Sequence, residues 1–173
     1  MDSNPKEAIN RLYESHADAI YRYARLSLQN NDEAYDVVQE VFARALKAWP
    51  SFRGDASERT WLTRIAHNCI YDLVHKRNHE HRLLGNYRPP DLSSEPGQVE
   101  TVIMIEHAVA ELNEEYRQVF ILRHVQDLSV RDTAKILDWS PGKVRITDFR
   151  ALAKLRNALN SGKEVKNRHE YNT

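Results

Sequence analysis

Residues 128–156, LSVRDTAKILDWSPGKVRITDFRALAKLR, contain two helix starts separated by a short turn. Ser129 and Asp132 form the capping pattern S-x-x-D, and Ser140-Pro141 places an N-cap before a proline at the first helical position. The second helix is rich in basic residues. This pattern predicts a helix-turn-helix, a motif whose second helix enters the major groove of DNA. Two capped helices also pack in this way in many proteins that bind no DNA, so a purely structural role remains open.

Outside this stretch, apolar residues recur every three or four positions, which is the spacing of amphipathic helices, and no segment shows the alternation typical of a strand. The fold class is therefore expected to be all-α. The spacing and the turn residues predict helices over 9–24, 31–50, 58–81, 102–112, 115–125, 129–137 and 141–159.

Proline and glycine cluster at 84–98, LGNYRPPDLSSEPGQ, a stretch with almost no apolar periodicity. Its composition predicts a flexible linker. We therefore expect two small helical domains, at 1–83 and 99–161, and a polar tail at 162–173.

The 173-residue chain has 25 Lys and Arg, 25 Asp and Glu, and no formal net charge, but the charges are segregated. Basic residues dominate at 44–90 and 128–173, whereas acidic residues dominate at 1–43 and 91–127. Two basic blocks are suited to contact DNA at two places, while the acidic blocks suit a different partner. Solvated helix surfaces are the simpler explanation of the same pattern.

We expect a cytoplasmic protein without direct membrane insertion, because no apolar run reaches the length of a membrane span and the N-terminus lacks a signal-peptide pattern. Cys69 is the only cysteine, which suits a reducing compartment. Zinc ligands could come only from His75, His79 and His81 with Cys69, and these histidines fit a basic helix end better. His67 and Cys69 point apart on a helix, so a catalytic pair is not expected. The predictions are no enzyme activity, no metal and no cofactor.

Ordered blocks of characteristic residues occur in both predicted domains. They are 12–13, 20–24, 36–42, 52–54, 60–62, 64–68 and Asp72 in the first, and Leu112, 116–120, 122–123, 128–129, Ala134, 142–145 and 150–151 in the second. Together they resemble sigma factors of the sigma-70 family, specifically the small two-domain extracytoplasmic-function (ECF) group. The run 143–145 and the block 57–61 are most similar to the sigma-X type of Gram-positive bacteria. The resemblance implies a promoter-specificity subunit of RNA polymerase.

This resemblance implies that the helix with Asp36, Gln39 and Glu40 binds the clamp coiled coil of the polymerase β′ subunit. It also implies a contact with the β flap. The i, i+3 and i, i+4 spacing places the three side chains on adjacent helix surface, with Val37 and Val41 facing inward. A solvated acidic surface is the alternative.

The resemblance assigns a second site to the −10 element, where a base is flipped out of the non-template strand. The capturing loop is formed by Phe52, Arg53, Gly54, Asp55, Ala56 and Ser57. Asn68 helps to recognise the base, and Trp61, Arg64 and His67 flank the separated strands. Packing in the core is the alternative for Trp61, and a simple turn is the alternative for Gly54.

A third site, for the −35 element, is assigned by resemblance to Lys143, Arg145, Thr147, Phe149 and Arg150. Residues 146–148 depart from the common family pattern, and Asp138 occupies a turn position where glycine is common. Asp tolerates the left-handed conformation of such a turn. Asp148 would repel phosphate, although it could accept a hydrogen bond from cytosine if aimed at a base.

The resemblance further implies regulation by an anti-sigma factor that covers these surfaces. The alternative function is that of a stand-alone helix-turn-helix regulator with an N-terminal dimerisation or sensor domain. That alternative leaves the acidic helix and the loop 52–57 unexplained.

Overall fold

The computed structural model describes residues 4–85 and 100–170. The chain divides into two compact units, Met1–Asp91 and Leu92–Thr173. The described ranges contain seven α-helices and no strand, which confirms the all-α prediction. Most of the predicted linker, from residue 86 onward, lies outside the described residues. Its first residue, Leu84, is the last residue of the preceding helix, and its second, Gly85, caps that helix.

The first unit consists of three helices, each packed against the other two. They are α1 (Pro5–Leu28), α2 (Asn31–Ala48) and α3 (Glu58–Leu84), with a short 3-10 turn (Trp49–Ser51) after α2. Their core includes the fully buried side chains of Leu12, Ile20, Tyr23, Leu28, Val41 and Leu62.

Polar caps set the starts of these helices. The side chains of Asn4, Asn30 and Ser57 each accept a hydrogen bond from a backbone N–H in the first turn. Ser57 directly precedes the helix predicted at 58–81, and α3 begins at that position. Helix α2 begins where the sequence indicated, and its cap is Asn30.

Some apolar residues at helical spacing lie outside the buried core. Tyr13 and Leu46 are exposed, and the Tyr13 ring packs edge-on against Phe42 with 4.9 Å between centroids. On α3, Thr63 and Ile70 are part of the buried core. Helix α3 buries a wide face because α1 and α2 both pack against it.

The second unit contains α4 (Glu100–Ala110), α5 (Glu114–Phe120), α6 (Val130–Leu137) and α7 (Pro141–Glu170). A π-helical turn (Ile121–Val125) continues α5. Helices α4, α5 and α6 all pack against α7. Val119, Ala134 and Val144 form a buried cluster where α5, α6 and α7 meet. Helices α6 and α7 are the predicted helix-turn-helix.

The turn between α6 and α7 has the predicted chemistry. Asp138 adopts a left-handed conformation with φ of 56°, and its carboxylate side chain makes this tolerable where glycine is common. Ser140 then caps α7 by accepting a hydrogen bond from the Lys143 N–H at 3.1 Å. Helix α7 continues to Glu170, beyond the predicted end at residue 159 and through most of the predicted polar tail.

A half-buried arginine joins α4 to α5, a role that the sequence did not reveal. Arg117 donates from Nη2 to the backbone carbonyls of Ala110 and Leu112 at 2.8 and 2.7 Å, and from Nε to that of Val109 at 3.3 Å. These carbonyls lie at the C-terminal end of α4, where no intrahelical donor is available. Burial lowers the pKa of Arg117, the opposite of what an exposed ion pair would produce.

Replacing Arg117 by methionine is expected to destabilise the protein by about 2 kcal/mol, because partly buried carbonyls lose charged donors. Urea unfolding followed by circular dichroism measures the change. Arg131→Met removes the same charge from an exposed position of the same unit and should shift stability by less than about 0.5 kcal/mol. Equal effects of the two substitutions would contradict the capping role.

No helix in residues 4–85 or 100–170 combines the length and the apolar character needed to cross a membrane.

Candidate polymerase and nucleic-acid interfaces

The three residues predicted to contact polymerase stand together on the outer surface of α2. Asp36, Gln39 and Glu40 are exposed, while Val37 and Val41 of the same helix are buried. The helix therefore presents two carboxylates and one amide side by side, as the spacing predicted. We call Asp36, Gln39 and Glu40 the acidic patch.

Part of the acidic patch is held by neighbouring charges. Arg44 donates from Nε to Glu40 Oε1 at 2.6 Å, one turn along α2, and its Nη1 lies 3.6 Å from Asp72 of α3. No ion pair within the described residues engages Asp36. Asp36 is thus the carboxylate most available to a basic partner.

Three aromatic rings pack together where the loop 52–57 begins. Phe52 stacks on Trp49 with 5.4 Å between centroids, and Trp61 lies 4.7 Å from Phe52 and 6.0 Å from Trp49. All three side chains are half-buried. We call them the aromatic cluster. Trp61 therefore packs against the loop while remaining half-buried, and its contact with the DNA strands stays a prediction.

Beyond Phe52, the loop is exposed from Arg53 to Ser57. Gly54 has φ of 75°, a conformation that side chains other than glycine rarely adopt, and a Cβ added there would meet no atom within 4 Å. The turn thus needs glycine for its backbone rather than for space. Ser57 ends the loop by capping α3. Arg53 and Asp55 are left free to face solvent or a ligand.

A stripe of polar and aromatic side chains lies at the surface along α3. Arg64, Asn68 and Tyr71 are exposed, one helical turn or less apart. The Tyr71 ring also lies 4.0 Å from that of His75, so aromatic surface continues along the helix. Together with the loop, this stripe offers hydrogen-bond donors and flat rings, the two features that unpaired bases bind.

His67 departs from this stripe because it is engaged with the core. Its Nδ1 lies 2.9 Å from the hydroxyl of Tyr23, which is fully buried on α1. Burial raises the pKa of Tyr23 and lowers the pKa of His67, so this hydrogen bond joins a neutral phenol to a neutral imidazole. His67 therefore joins α3 to α1, and only its outer edge can reach DNA.

The lowered pKa of His67 predicts a pH-dependent stability. The unfolded chain takes up the proton first as pH falls, so the stabilisation is fully present above about pH 6.5 and is lost as pH falls through the lower pKa of the folded state. Between pH 7 and 5, the wild-type protein should lose about 1 kcal/mol more stability than His67→Asn. Urea unfolding at several pH values tests this, with exposed His75→Asn as the control. Parallel pH profiles for wild type and His67→Asn would contradict the assignment.

Helix α7 presents four of its five predicted −35 residues to solvent. Lys143, Arg145, Phe149 and Arg150 are exposed. Lys143 is already engaged, because its Nζ lies 2.9 Å from Glu115 Oε1 and 3.7 Å from the centre of the Trp139 ring. Within the described residues, no ion pair involves Arg145 or Arg150. These two arginines are the cations best placed to reach DNA.

Thr147 requires a correction. Its side chain is only 6% exposed and faces the core of the second unit, on the same side of α7 as Val144 and Ala151. A buried threonine cannot contact a base edge in the groove. The i, i+3 spacing from Val144 was the signal in the sequence that could have placed it inside.

Asp148 is engaged by two intramolecular contacts. Its Oδ1 lies 2.7 Å from His124 Nε2 and its Oδ2 lies 3.6 Å from Arg123 Nε, both in the π-helical turn. The Asp148 side chain is 15% exposed. It therefore neither projects toward phosphate nor aims at a cytosine, which were the two roles considered from the sequence.

The histidines considered as zinc ligands all lie on α3. The described ranges contain no group of three or more His, Cys, Asp or Glu side chains that could hold a metal ion. Cys69 is buried on α3, and burial raises the pKa of its thiol.

Comparison with known families identifies both units. Residues 12–80 match the model of Sigma-70 region 2, and residues 103–155 match that of Sigma-70, region 4. The ECF RNA polymerase sigma factor SigX of Bacillus subtilis (strain 168) is 30% identical over 164 residues, covering 87% of this chain and 83% of SigX. The ECF sigma factor SigM of Mycobacterium tuberculosis is 31% identical over 163 residues, covering 92% of this chain and 82% of SigM.

Solved structures share the fold. CnrH, solved in complex with the cytosolic domain of CnrY, is 26% identical with a TM-score of 0.67, covering 90% of each chain. The sigma factor RpoE of Bartonella quintana, solved with the anti-sigma factor NepR, has a TM-score of 0.82 at 22% identity, covering 89% of this chain and 98% of RpoE. The similarity to SigX agrees with the sigma-X likeness seen in the sequence. This chain belongs to the ECF RNA polymerase sigma factors of the sigma-70 family.

Proposed function

We propose that this chain binds core RNA polymerase through the acidic patch and recognises promoters through two separate DNA-contacting surfaces. The domain 1–83 holds the acidic patch and the −10 surface, and the domain 99–161 holds the −35 surface. The single observation that carries the proposal is the exposed acidic patch on α2, because its carboxylates would repel DNA and can bind a basic protein surface.

The −10 surface consists of the loop 52–57, the aromatic cluster and the exposed stripe of α3. Flipping a base costs a few kcal/mol of lost stacking, which a pocket offsets through ring contacts and hydrogen bonds to the base. The exposed amide of Asn68 can both donate to and accept from a base edge. The protein contributes binding and positioning, while the chemistry of RNA synthesis belongs to the polymerase. Its place of action is the cytoplasm, where the polymerase meets DNA.

An anti-sigma factor holds this protein inactive by covering the same surfaces. Support comes from the family and from CnrH, whose fold accommodates a protein ligand, the cytosolic domain of CnrY. Exposed apolar side chains such as Tyr35 on α2 and Phe149 on α7 give such a partner area to bury.

Titration of the labelled protein with bacterial core RNA polymerase tests the proposed function. Saturable submicromolar binding that the housekeeping sigma factor competes away is the expected outcome. Binding to isolated DNA should be weak and sensitive to salt, because each unit alone makes few phosphate contacts. If the folded protein does not bind polymerase but binds one DNA sequence tightly, it is instead a stand-alone regulator.

Substituting Asn68 by alanine is expected to slow formation of the open promoter complex about tenfold, the loss that accompanies one hydrogen bond to the flipped base. Permanganate reactivity of unpaired thymines in the −10 region follows the opening. Polymerase affinity should stay unchanged. Asn78→Ala, an exposed asparagine on the same helix, is the matched control. Full opening activity with Asn68→Ala would remove this residue from the −10 surface.

A further inference from the structure

Helix α7 has an apolar centre on the side that faces away from the protein. Its buried side is formed by Val144, Thr147, Ala151 and Leu155. Because each residue turns an α-helix by about 100°, the opposite side is centred on Ile146 and Phe149, one turn apart. These two side chains are 56% and 76% exposed. Large apolar side chains exposed side by side on a small domain indicate a contact surface.

The charges around this pair match DNA. Arg145 lies on one flank of the apolar pair and Arg150 on the other, and both are exposed. Guanidinium groups bind phosphate or the O6 and N7 atoms of guanine. An apolar pair between two arginines therefore fits a DNA groove, which is anionic at its edges and has apolar groups in its floor.

No polar side chain competes with the apolar pair at the centre of this surface. Thr147 is buried, and Asp148 is held by His124 and Arg123. Hydrogen bonds to bases can thus come from the flanks, while the centre can offer only van der Waals contact. The apolar group that B-DNA presents in the major groove is the C5-methyl group of thymine.

We infer that Ile146 and Phe149 recognise thymine methyl groups in the −35 element, so that this chain selects A·T base pairs between its two arginine contacts. The inference rests on the proposed function and adds a specificity determinant to it. It assigns a role to Ile146, one of the positions where the sequence departs from the common family pattern.

Replacement of thymine by deoxyuridine tests the inference, because it removes the methyl group and leaves the Watson–Crick hydrogen bonds intact. Promoter duplexes are first selected by polymerase carrying this protein from a pool randomised in the −35 region. Each fixed thymine is then replaced by deoxyuridine, and holoenzyme binding is measured. At least one replacement is expected to weaken binding about fourfold, the effect of one buried methyl-sized group.

Variants assign the effect to side chains. Ile146→Ser and Phe149→Ser should bind thymine and deoxyuridine promoters more equally, and the double variant should not distinguish them. Ile146→Val should keep the discrimination. Arg150→Ala is the control, because it should weaken binding to both promoters by the same factor. Exposure of Ile146 and Phe149 makes these substitutions compatible with folding, which circular dichroism verifies.

Three results would overturn the inference: selected promoters without a fixed thymine on either strand, equal binding of thymine and deoxyuridine promoters by the wild type, or unchanged discrimination by the double serine variant. If Ile146 and Phe149 bind only a protein partner, we expect one of these three results. Failure of the proposed function gives a different result, since polymerase would then neither bind the protein nor select any promoter with it.

Discussion

Replacing Asp36 and Glu40 by arginine should weaken binding of this protein to core RNA polymerase by more than about 100-fold. Each substitution places a like charge opposite the basic partner that the acidic patch is proposed to meet, and such juxtaposition costs several kcal/mol. Fluorescence anisotropy of the labelled protein titrated with core polymerase measures the affinity. Added salt should weaken the contribution of this contact in the wild type but not in the variant, because it screens an attraction in the first and a repulsion in the second.

The matched control reverses Glu14 and Asp18, two exposed acidic residues at the same i, i+4 spacing on α1. This control changes net charge equally and should leave polymerase affinity within about threefold of the wild type. Asp36→Arg alone is a second variant, because it leaves the Glu40–Arg44 pair intact. If the control and the acidic-patch variant lose affinity alike, polymerase binding depends on overall charge, and the assignment of the patch is wrong.

Removing both exposed arginines of α7, by Arg145→Ala and Arg150→Ala, should reduce the preference for a promoter with an intact −35 element over one with a scrambled element by about 100-fold. Each arginine that binds a base bidentately contributes about 1–3 kcal/mol of discrimination. The measurement is holoenzyme binding to the two promoters at fixed salt. Polymerase binding in the absence of DNA should not change, because these residues lie in the other unit from the acidic patch.

The comparison variant Arg131→Ala with Lys135→Ala removes the same charge from exposed positions on α6. If these two side chains bind phosphate, their removal weakens binding to both promoters alike and leaves the preference intact. An unchanged preference in the α7 variant would show that Arg145 and Arg150 contact only phosphate, and base recognition would then have to come from other side chains.

The sequence predicted the helices and the helix-turn-helix well because these depend on interactions within one or two turns. Ser57 and Ser140 cap their helices through hydrogen bonds to a residue three positions away. Asp138 is equally local, since its left-handed conformation depends on its own side chain. The acidic patch follows from the periodicity of a single helix, which places Asp36 outside and Val37 inside.

Two of the interactions that the sequence did not reveal join residues far apart in the chain. His67 meets Tyr23 across 44 positions, and Asp148 meets His124 across 24. Nothing in the local sequence around Asp148 indicates that its carboxylate has a partner, so the sequence predicts repulsion of phosphate. In the structure, the π-helical turn beside Asp148 supplies that partner. The surface chemistry of α7 therefore depends on a neighbouring turn as much as on its own residues.

The aromatic cluster also provides an intrinsic tryptophan fluorescence signal. Of the three tryptophans in the chain, Trp49 and Trp61 lie against the loop 52–57, and Trp139 lies under Lys143 in the second unit. Trp139→Phe would leave intrinsic emission that comes from the loop region alone. A base that enters the loop and stacks there is expected to quench that emission, so binding of a single-stranded −10 oligonucleotide to the isolated protein could be followed without an attached dye.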